Sequence, residues 1–140
     1  MTLLIDAGPI VALADLRDPE RERILAALRD EPGALVIPAP TTAEIDYLLG
    51  ERFGGGARGA FLHDLADGRF SVECLERSDY GAVLELEERY SELGLGLADC
   101  ALVTLAARHE TTRILTFDER HFRAVRPLHG SAFTILPSDA

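Results

Sequence analysis

The sequence predicts one three-layer α/β/α domain over residues 1–140, built on a central, mostly parallel β-sheet. Short apolar segments alternate with longer amphipathic segments along the chain, as strands and helices alternate in α/β proteins. The short segments are apolar at consecutive positions, which is typical of strands covered on both faces. Hydrophobic residues make up 47% of the chain, enough for one sizeable core.

The boundaries of the elements follow from the same pattern. Strands are predicted where apolar runs are bounded by turn residues, at 3–5, 34–37, 70–75, 113–116 and 133–136. Helical segments are predicted at 10–15, 20–29, 41–50, 60–66, 78–93, 98–107 and 118–122. A flexible break is expected at residues 54–56, and a helix N-cap at Ser78 or Asp79. Helices between successive strands imply right-handed crossovers and therefore parallel pairing.

The composition argues against several classes of protein. The formal net charge is −10, whereas proteins that coat nucleic acids are basic. All 14 basic residues are arginine, so phosphate contacts must come from arginine, histidine or backbone N–H groups. No apolar run approaches the ~20 residues of a membrane span, and the first residues lack a signal-peptide pattern. We expect a soluble cytoplasmic protein without membrane association, in which Cys74 and Cys100 are buried, reduced thiols.

Acidic residues occupy equivalent positions in several of the predicted strand–helix units. Asp6 follows the first strand, and Glu44 lies in the first turn of the helix after the second strand. Asp99 opens the most apolar helix, and Asp118 follows the strand that ends at Thr116. In a parallel sheet, strand C-termini and the following helix N-termini lie along one edge, where ligand sites form. We therefore expect these acids to converge.

Each acid also has a structural explanation when it is considered alone. Asp6 and Asp118 precede turns that an aspartate could cap, and Asp99 could complement a helix dipole. Thr41 and Glu44 match a capping box. Jointly these explanations weaken, because converging carboxylates repel each other and recruit a cation. Carboxylates without neighbouring histidine or cysteine favour Mg²⁺ or Mn²⁺, which could activate water to hydrolyse a phosphodiester.

The acids stand in short motifs that occur in order along nearly the whole chain. These are LLIDAGP at residues 3–9, AEI at 43–45, LADCA at 97–101 and ILTFDERHF at 114–122. Together they resemble the motifs of PIN-domain ribonucleases, and most closely those of the VapC-type toxins of bacterial toxin–antitoxin pairs. Family members often have serine or threonine after the first aspartate, whereas this chain has Ala7 and Gly8.

The resemblance implies a fold, an activity and partners. The fold would be a PIN domain, and the activity Mg²⁺- or Mn²⁺-dependent cleavage of RNA, often a tRNA or a ribosomal RNA loop. Asp6, Glu44, Asp99 and Asp118 match the acidic quartet of the family, with Asp6 and Asp99 expected to bind the metal directly. Thr116 matches a hydroxyl residue that would steady the site. A small antitoxin would hold the toxin inactive, and a homodimer is expected.

Other features leave alternatives open. The segment from residue 108 to 129 is locally basic and could face RNA or be an ordinary solvated surface. His121 could be a general acid, but the preferred interpretation of its segment is a short turn with Phe122 in the core. The helix after the second strand carries Tyr47, Leu48 and Leu49, and Phe53 follows just beyond it. These residues could belong to the core, or they could line a groove for an antitoxin helix.

Three other functions compete with a nuclease. A phosphotransfer receiver needs an acidic pair after the first strand and a lysine, whereas this chain has Asp6 alone and no lysine. A dinucleotide-binding role lacks the glycine-rich fingerprint after the first strand. A catalytically inactive PIN fold that binds RNA or protein stays open as the alternative.

Overall fold

The fold is built on a single five-stranded sheet. The computed structural model describes residues 1–140. The strands are β1 Thr2–Ile5, β2 Ala34–Pro38, β3 Ser71–Glu73, β4 Arg113–Leu115 and β5 Thr134–Leu136. The α-helices are α1 Ala7–Leu13, α2 Arg21–Asp30, α3 Ala39–Phe53, α4 Gly55–Ala66, α5 Arg77–Arg89, α6 Leu97–Arg108 and α7 Glu119–Ala124. A 3₁₀ turn at Ser91–Leu93 links α5 to α6. No helix has the length and apolar character needed to cross a membrane.

All strand pairs are parallel, in the order β3-β2-β1-β4-β5. Leu4 of β1 lies opposite Ile114 of β4, and Ile5 lies opposite Leu115. From β1 the chain proceeds outward through β2 to β3, and it then returns across the sheet to β4 and β5. The order therefore reverses between β1 and β4, and in open α/β sheets this switch point is where ligand sites form.

Helices cover both faces of the sheet because the strands alternate their apolar side chains. Leu4 and Ile114 pack in a core with α5, α6 and Phe122. Leu3 and Leu115 point to the opposite face and pack in a core with α1–α4. The predicted three-layer α/β/α architecture and its parallel sheet are confirmed. The unbroken burial of residues 100–106 in α6 also agrees with its apolar sequence.

The prediction for the start of α3 was wrong. The helix begins at Ala39, so Thr41 lies inside its first turn and Glu44 lies in its second turn. No side chain caps this helix, and the buried Thr41 hydroxyl has no hydrogen-bond partner. Proline at the second helical position explains the earlier start, because its fixed φ suits the first turn and its missing N–H needs no partner there. The capping-box explanation for Glu44 therefore fails.

Two boundaries between α3 and α5 also differ from the prediction. Only Gly54, with φ of 85°, separates helix α3 from helix α4, and the two glycines after it belong to α4. Helix α5 starts after Glu76, which forms a capping box with Asp79, and it ends before the 3₁₀ turn. Cys100 is buried as expected, but Cys74 is exposed because it follows β3, which is an edge strand.

Candidate active site

The four predicted acids approach one another at the carboxyl edge of β1 and β4. The acidic cluster that they form consists of Asp6, Glu44, Asp99 and Asp118. Asp6 follows β1 directly, and its N–H extends the strand pairing by donating to the Leu115 carbonyl at 2.9 Å. Asp118 lies three residues beyond the end of β4. Asp99 is in the first turn of α6, and Glu44 projects from α3. Strand adjacency at the switch point thus brings together residues that are far apart in sequence.

The Thr116 hydroxyl joins two of these acids. Its side chain is fully buried, and its Oγ1 donates to Asp6 Oδ2 at 2.7 Å while accepting the Asp118 N–H at 3.0 Å. Asp6 Oδ1 accepts the Ala7 N–H at 2.8 Å and so caps α1. Asp118 Oδ1 accepts the His121 N–H at 3.0 Å and caps α7. Both aspartates are therefore helix caps and members of the acidic cluster, so the two explanations are compatible.

His121 lies inside the cluster, although the sequence suggested no role for it. Its Nδ1 is 2.9 Å from Asp99 Oδ2 and 2.8 Å from Asp118 Oδ2, and its Nε2 is 3.0 Å from the Leu93 carbonyl oxygen. Nε2–H can donate to the Leu93 carbonyl and Nδ1–H to Asp99 Oδ2, whereas Asp118 Oδ2 lies close to Nδ1 without forming a hydrogen bond. The available signal was the three-residue spacing from Asp118, which places both side chains on one face of a helical turn.

The cluster holds more negative charge than its surroundings favour. Burial raises the pKa of Asp6 above its ordinary 3.8, and the Thr116 hydrogen bond only partly opposes this. Burial and then the charge of Asp6 raise the pKa of Asp99, against the lowering effect of His121. Partial burial raises the pKa of Glu44 above 4.5, and the charges of Asp6 and Asp99 raise it further. A bound cation would relieve this repulsion.

The donor atoms fit a divalent ion. One ligand atom from each of Asp99, Asp118 and His121 can be chosen so that all three lie within 4.8 Å of one another. The expectation that no histidine lies near the acids was wrong. A neutral His121 whose Nε2–H donates to the Leu93 carbonyl would direct its Nδ1 lone pair at an ion bound by Asp99 and Asp118. Metal-binding histidines commonly donate their second ring N–H in this way. Carboxylates suit both Mg²⁺ and Mn²⁺, whereas imidazole suits transition metals, so direct binding by His121 would favour Mn²⁺ over Mg²⁺.

Most arginines in the basic segment from residue 108 to 129 form ion pairs. Arg108 pairs with Asp79, Arg113 with Glu31, and Arg123 with Asp139. Arg120 and Arg126 are exposed and form no ion pair. Of these two, Arg120 is only two residues from Asp118. The segment is therefore not a continuous basic surface, and Arg120 is the arginine left free beside the acidic cluster.

Comparison with known proteins identifies the family. The PIN domain matches residues 3–127 of this chain. Ribonuclease VapC26 from Mycobacterium tuberculosis is 33% identical over 135 residues, which cover 96% of this chain and 100% of that protein. Identity of this extent along nearly the whole of both chains indicates a shared family and not only a shared fold.

Solved structures agree with this assignment at the level of the fold. VapC20 from Mycobacterium tuberculosis, described as a sarcin–ricin loop cleaving toxin, superposes with a TM-score of 0.79 at 17% identity and covers 92% of this chain and 98% of its own. A toxin–antitoxin complex from Klebsiella pneumoniae superposes with a TM-score of 0.69 at 17% identity, covering 88% and 92%. The chain therefore belongs to the PIN-domain family and, within it, to the VapC-type ribonucleases.

Proposed function

We propose that this chain is a divalent-metal-dependent endoribonuclease and the toxin of a toxin–antitoxin pair. The convergence of the acidic cluster at the sheet's switch point carries this proposal. The proposed ligands of Mg²⁺ or Mn²⁺ are Asp6, Glu44, Asp99 and Asp118. Asp6 and Asp99, which are both partly buried, are assigned direct contacts, as the family resemblance implies. Glu44 is exposed and is assigned a role through water or a second ion.

The chain's own residues would prepare the site for the reaction. Thr116 fixes one carboxylate oxygen of Asp6, so that this group does not rotate away from the site. His121 holds the side chains of Asp99 and Asp118 at hydrogen-bond distance from one nitrogen. The N-terminus of α6 contributes favourable potential for a phosphate at this edge. When bound, the ion supplies charge neutralisation at the phosphate and activation of the attacking water.

An antitoxin is the protein partner that the proposal requires. The complex described for the Klebsiella pneumoniae protein supports such a partner, and this chain carries a suitable surface. A groove of about 410 Å³ between α1, α3 and α4 is lined by ten residues, of which nine are hydrophobic. Leu16, at 79% exposed, and the buried Leu49 both line it. We assign this groove to an apolar helix of the antitoxin, and a homodimer is the proposed state of the free toxin.

The test of catalysis uses purified protein and a structured RNA such as total tRNA or ribosomal RNA. Wild-type protein is expected to cleave RNA with Mg²⁺ or Mn²⁺ and not with excess chelator. Asp6→Asn and Asp99→Asn are expected to reduce cleavage by at least ~10²-fold, as loss of a key electrostatic group does. Tyr80→Ala is the matched control, because this exposed residue on α5 lies outside the cluster.

The possible results separate the nuclease from the inactive alternative. Full cleavage in excess chelator would contradict the metal mechanism. Growth arrest on expression that persists in Asp6→Asn would indicate that the protein acts by binding RNA or protein. Light scattering of the purified toxin, alone and with its antitoxin, measures both proposed assemblies.

A further inference from the structure

A cavity beside the acidic cluster has aromatic walls that the catalytic proposal does not use. It measures about 400 Å³ and is lined by Gly8, Val11, Ala12, Asp15, Asp18, Arg52, Phe53 and Phe117. Phe117 stands between Thr116 and Asp118, so its Cα lies about 3.8 Å along the chain from each of these two site residues. The hydrogen bonds made by Thr116 fix this segment against Asp6. Phe117 is thus a direct sequence neighbour of two residues of the site, in a segment that is hydrogen-bonded to Asp6.

The Phe117 ring is supported on one side and open on the other. A Cβ placed on Gly8 would lie 3.2 Å from Phe117 Cδ2, so the ring rests against the glycine backbone. The residue is nevertheless 43% exposed, and Phe53 in the same cavity is 40% exposed. Two exposed aromatic rings thus share one concave surface, as in ligand-binding grooves. Their position indicates a flat apolar ligand.

The polar groups of the cavity define the chemistry of that ligand further. Arg52 is exposed and forms no ion pair, so its guanidinium is available to a phosphate or to the face of a base. Asp15 and Asp18 each accept one backbone N–H through Oδ1, which leaves their second oxygens as acceptors. These carboxylates disfavour a phosphate inside the cavity but suit the amino group of a base. Single-stranded RNA offers this combination of aromatic face, amino group and flanking phosphate.

We propose that this cavity is a nucleobase subsite, in which Phe117 stacks on an unpaired, amino-bearing base next to the scissile phosphate. Phe53 forms a second wall, and Arg52 contacts the neighbouring phosphate. A base in this position must be unstacked from its neighbours, so the substrate is a single-stranded or loop region and not a continuous duplex. The proposal rests on the ribonuclease function proposed above, whose site it extends by one nucleotide.

The test measures RNA binding separately from cleavage. Fluorescence anisotropy follows the binding of labelled single-stranded adenosine or cytidine hexamers in chelator, where no metal-dependent cleavage occurs. Phe117→Ala and Phe117→Leu are expected to weaken binding by about 5- to 100-fold, as alanine substitution of stacking residues does. Phe117→Tyr keeps the ring and is expected to bind within about 2-fold of wild type. Tyr80→Ala, which removes an equally exposed ring on α5, is expected to bind like wild type.

Control oligomers identify the base as the group that is recognised. An abasic hexamer has the same phosphates, so its weaker binding is expected to be insensitive to Phe117→Leu. Equal losses on the abasic and the intact oligomers, or no loss with Phe117→Leu, would overturn the subsite. Unchanged RNA binding together with weaker antitoxin binding by Phe117→Leu would also overturn it, and would assign the surface to the antitoxin. Failure of the wild-type protein to cleave RNA with any divalent ion would contradict the proposed function instead, whatever the binding data show.

Discussion

At the scale of single residues, the site depends on side chains that serve two purposes. Asp6 caps α1 with one oxygen and receives the Thr116 hydroxyl with the other. Asp118 caps α7 through Oδ1 and faces His121 through Oδ2. A capping role therefore does not exclude a catalytic one, since a carboxylate has two oxygens and a cap uses only one. The cap in fact fixes the direction of the second oxygen.

The Thr116 hydroxyl is expected to support both the fold and the site. Thr116→Val removes its hydrogen bond to Asp6 and leaves the Asp118 N–H without a partner, so we expect a loss of about 1–3 kcal/mol in the free energy of unfolding. Thr116→Ser keeps the hydroxyl and is expected to lose about 1 kcal/mol for the missing methyl group. Urea denaturation of the metal-free proteins measures both values. A valine variant more stable than the serine variant would contradict a stabilising role of the hydroxyl.

At the scale of elements, the ion pair between the buried Glu31 and the partly exposed Arg113 joins the segment after α2 to β4. The Glu31 side chain has no exposed surface, and its Oε2 lies 3.1 Å from Arg113 Nη2. Its Oε1 accepts the Gly33 N–H at 3.1 Å. These contacts anchor the entry to β2 against β4, with β1 lying between the two strands. The pair therefore spans the strands whose C-terminal ends carry the acidic cluster.

Removing one member of this pair is expected to cost more than removing both. Arg113→Met leaves the buried Glu31 carboxylate without its cationic partner; because the Arg113 side chain is itself 31% exposed, we expect a loss of about 1–3 kcal/mol in the free energy of unfolding. The double variant Arg113→Met with Glu31→Leu removes the buried charge and is expected to recover much of that loss. Chemical denaturation of the two variants provides the comparison. Equal stability of the single and double variants would contradict the assigned cost of the unpaired carboxylate.

At the scale of the whole molecule, the acidic cluster makes stability depend on pH and on divalent ions. The pKa values of Asp6, Glu44 and Asp99 are raised, so the folded protein holds these protons more tightly than the unfolded chain. Their favourable contribution is fully present below the unfolded pKa values of about 4 and is lost as pH rises through the raised folded values. Asp139 behaves oppositely, because its ion pair with Arg123 lowers its pKa to about 2.

A comparison of wild type with Asp99→Asn isolates the cluster, since Asp139 is common to both proteins. Without metal, the two are expected to be similarly stable near about pH 4, and the variant is expected to become the more stable as pH rises to neutrality. A divalent ion at 100 times its Kd would stabilise the wild type by about 2.7 kcal/mol and the variant by less. Thermal melting across pH, with and without Mn²⁺, measures these differences. A difference that stays constant with pH would contradict the repulsion assigned to Asp99.

The amino-acid sequence by itself determined the layered fold and the convergence of the acids. Consecutive apolar residues in short strands imply a sheet covered on both faces, and parallel strands place Asp6 and Asp118 on one edge whatever the lengths of the helices. The start of α3 was missed because Thr41 and Glu44 resemble a cap, whereas Pro40 permits an earlier first turn.

Only the tertiary structure decided the finer composition of the site. His121 meets Asp99 across 22 residues and Leu93 across 28, and no local pattern reports contacts over such separations. The exposure of Phe117 beside Gly8 likewise depends on β1 and β4 being neighbours. Periodicity in a sequence specifies which face of an element is apolar, but the packing of several elements decides which side chains share one polar cluster.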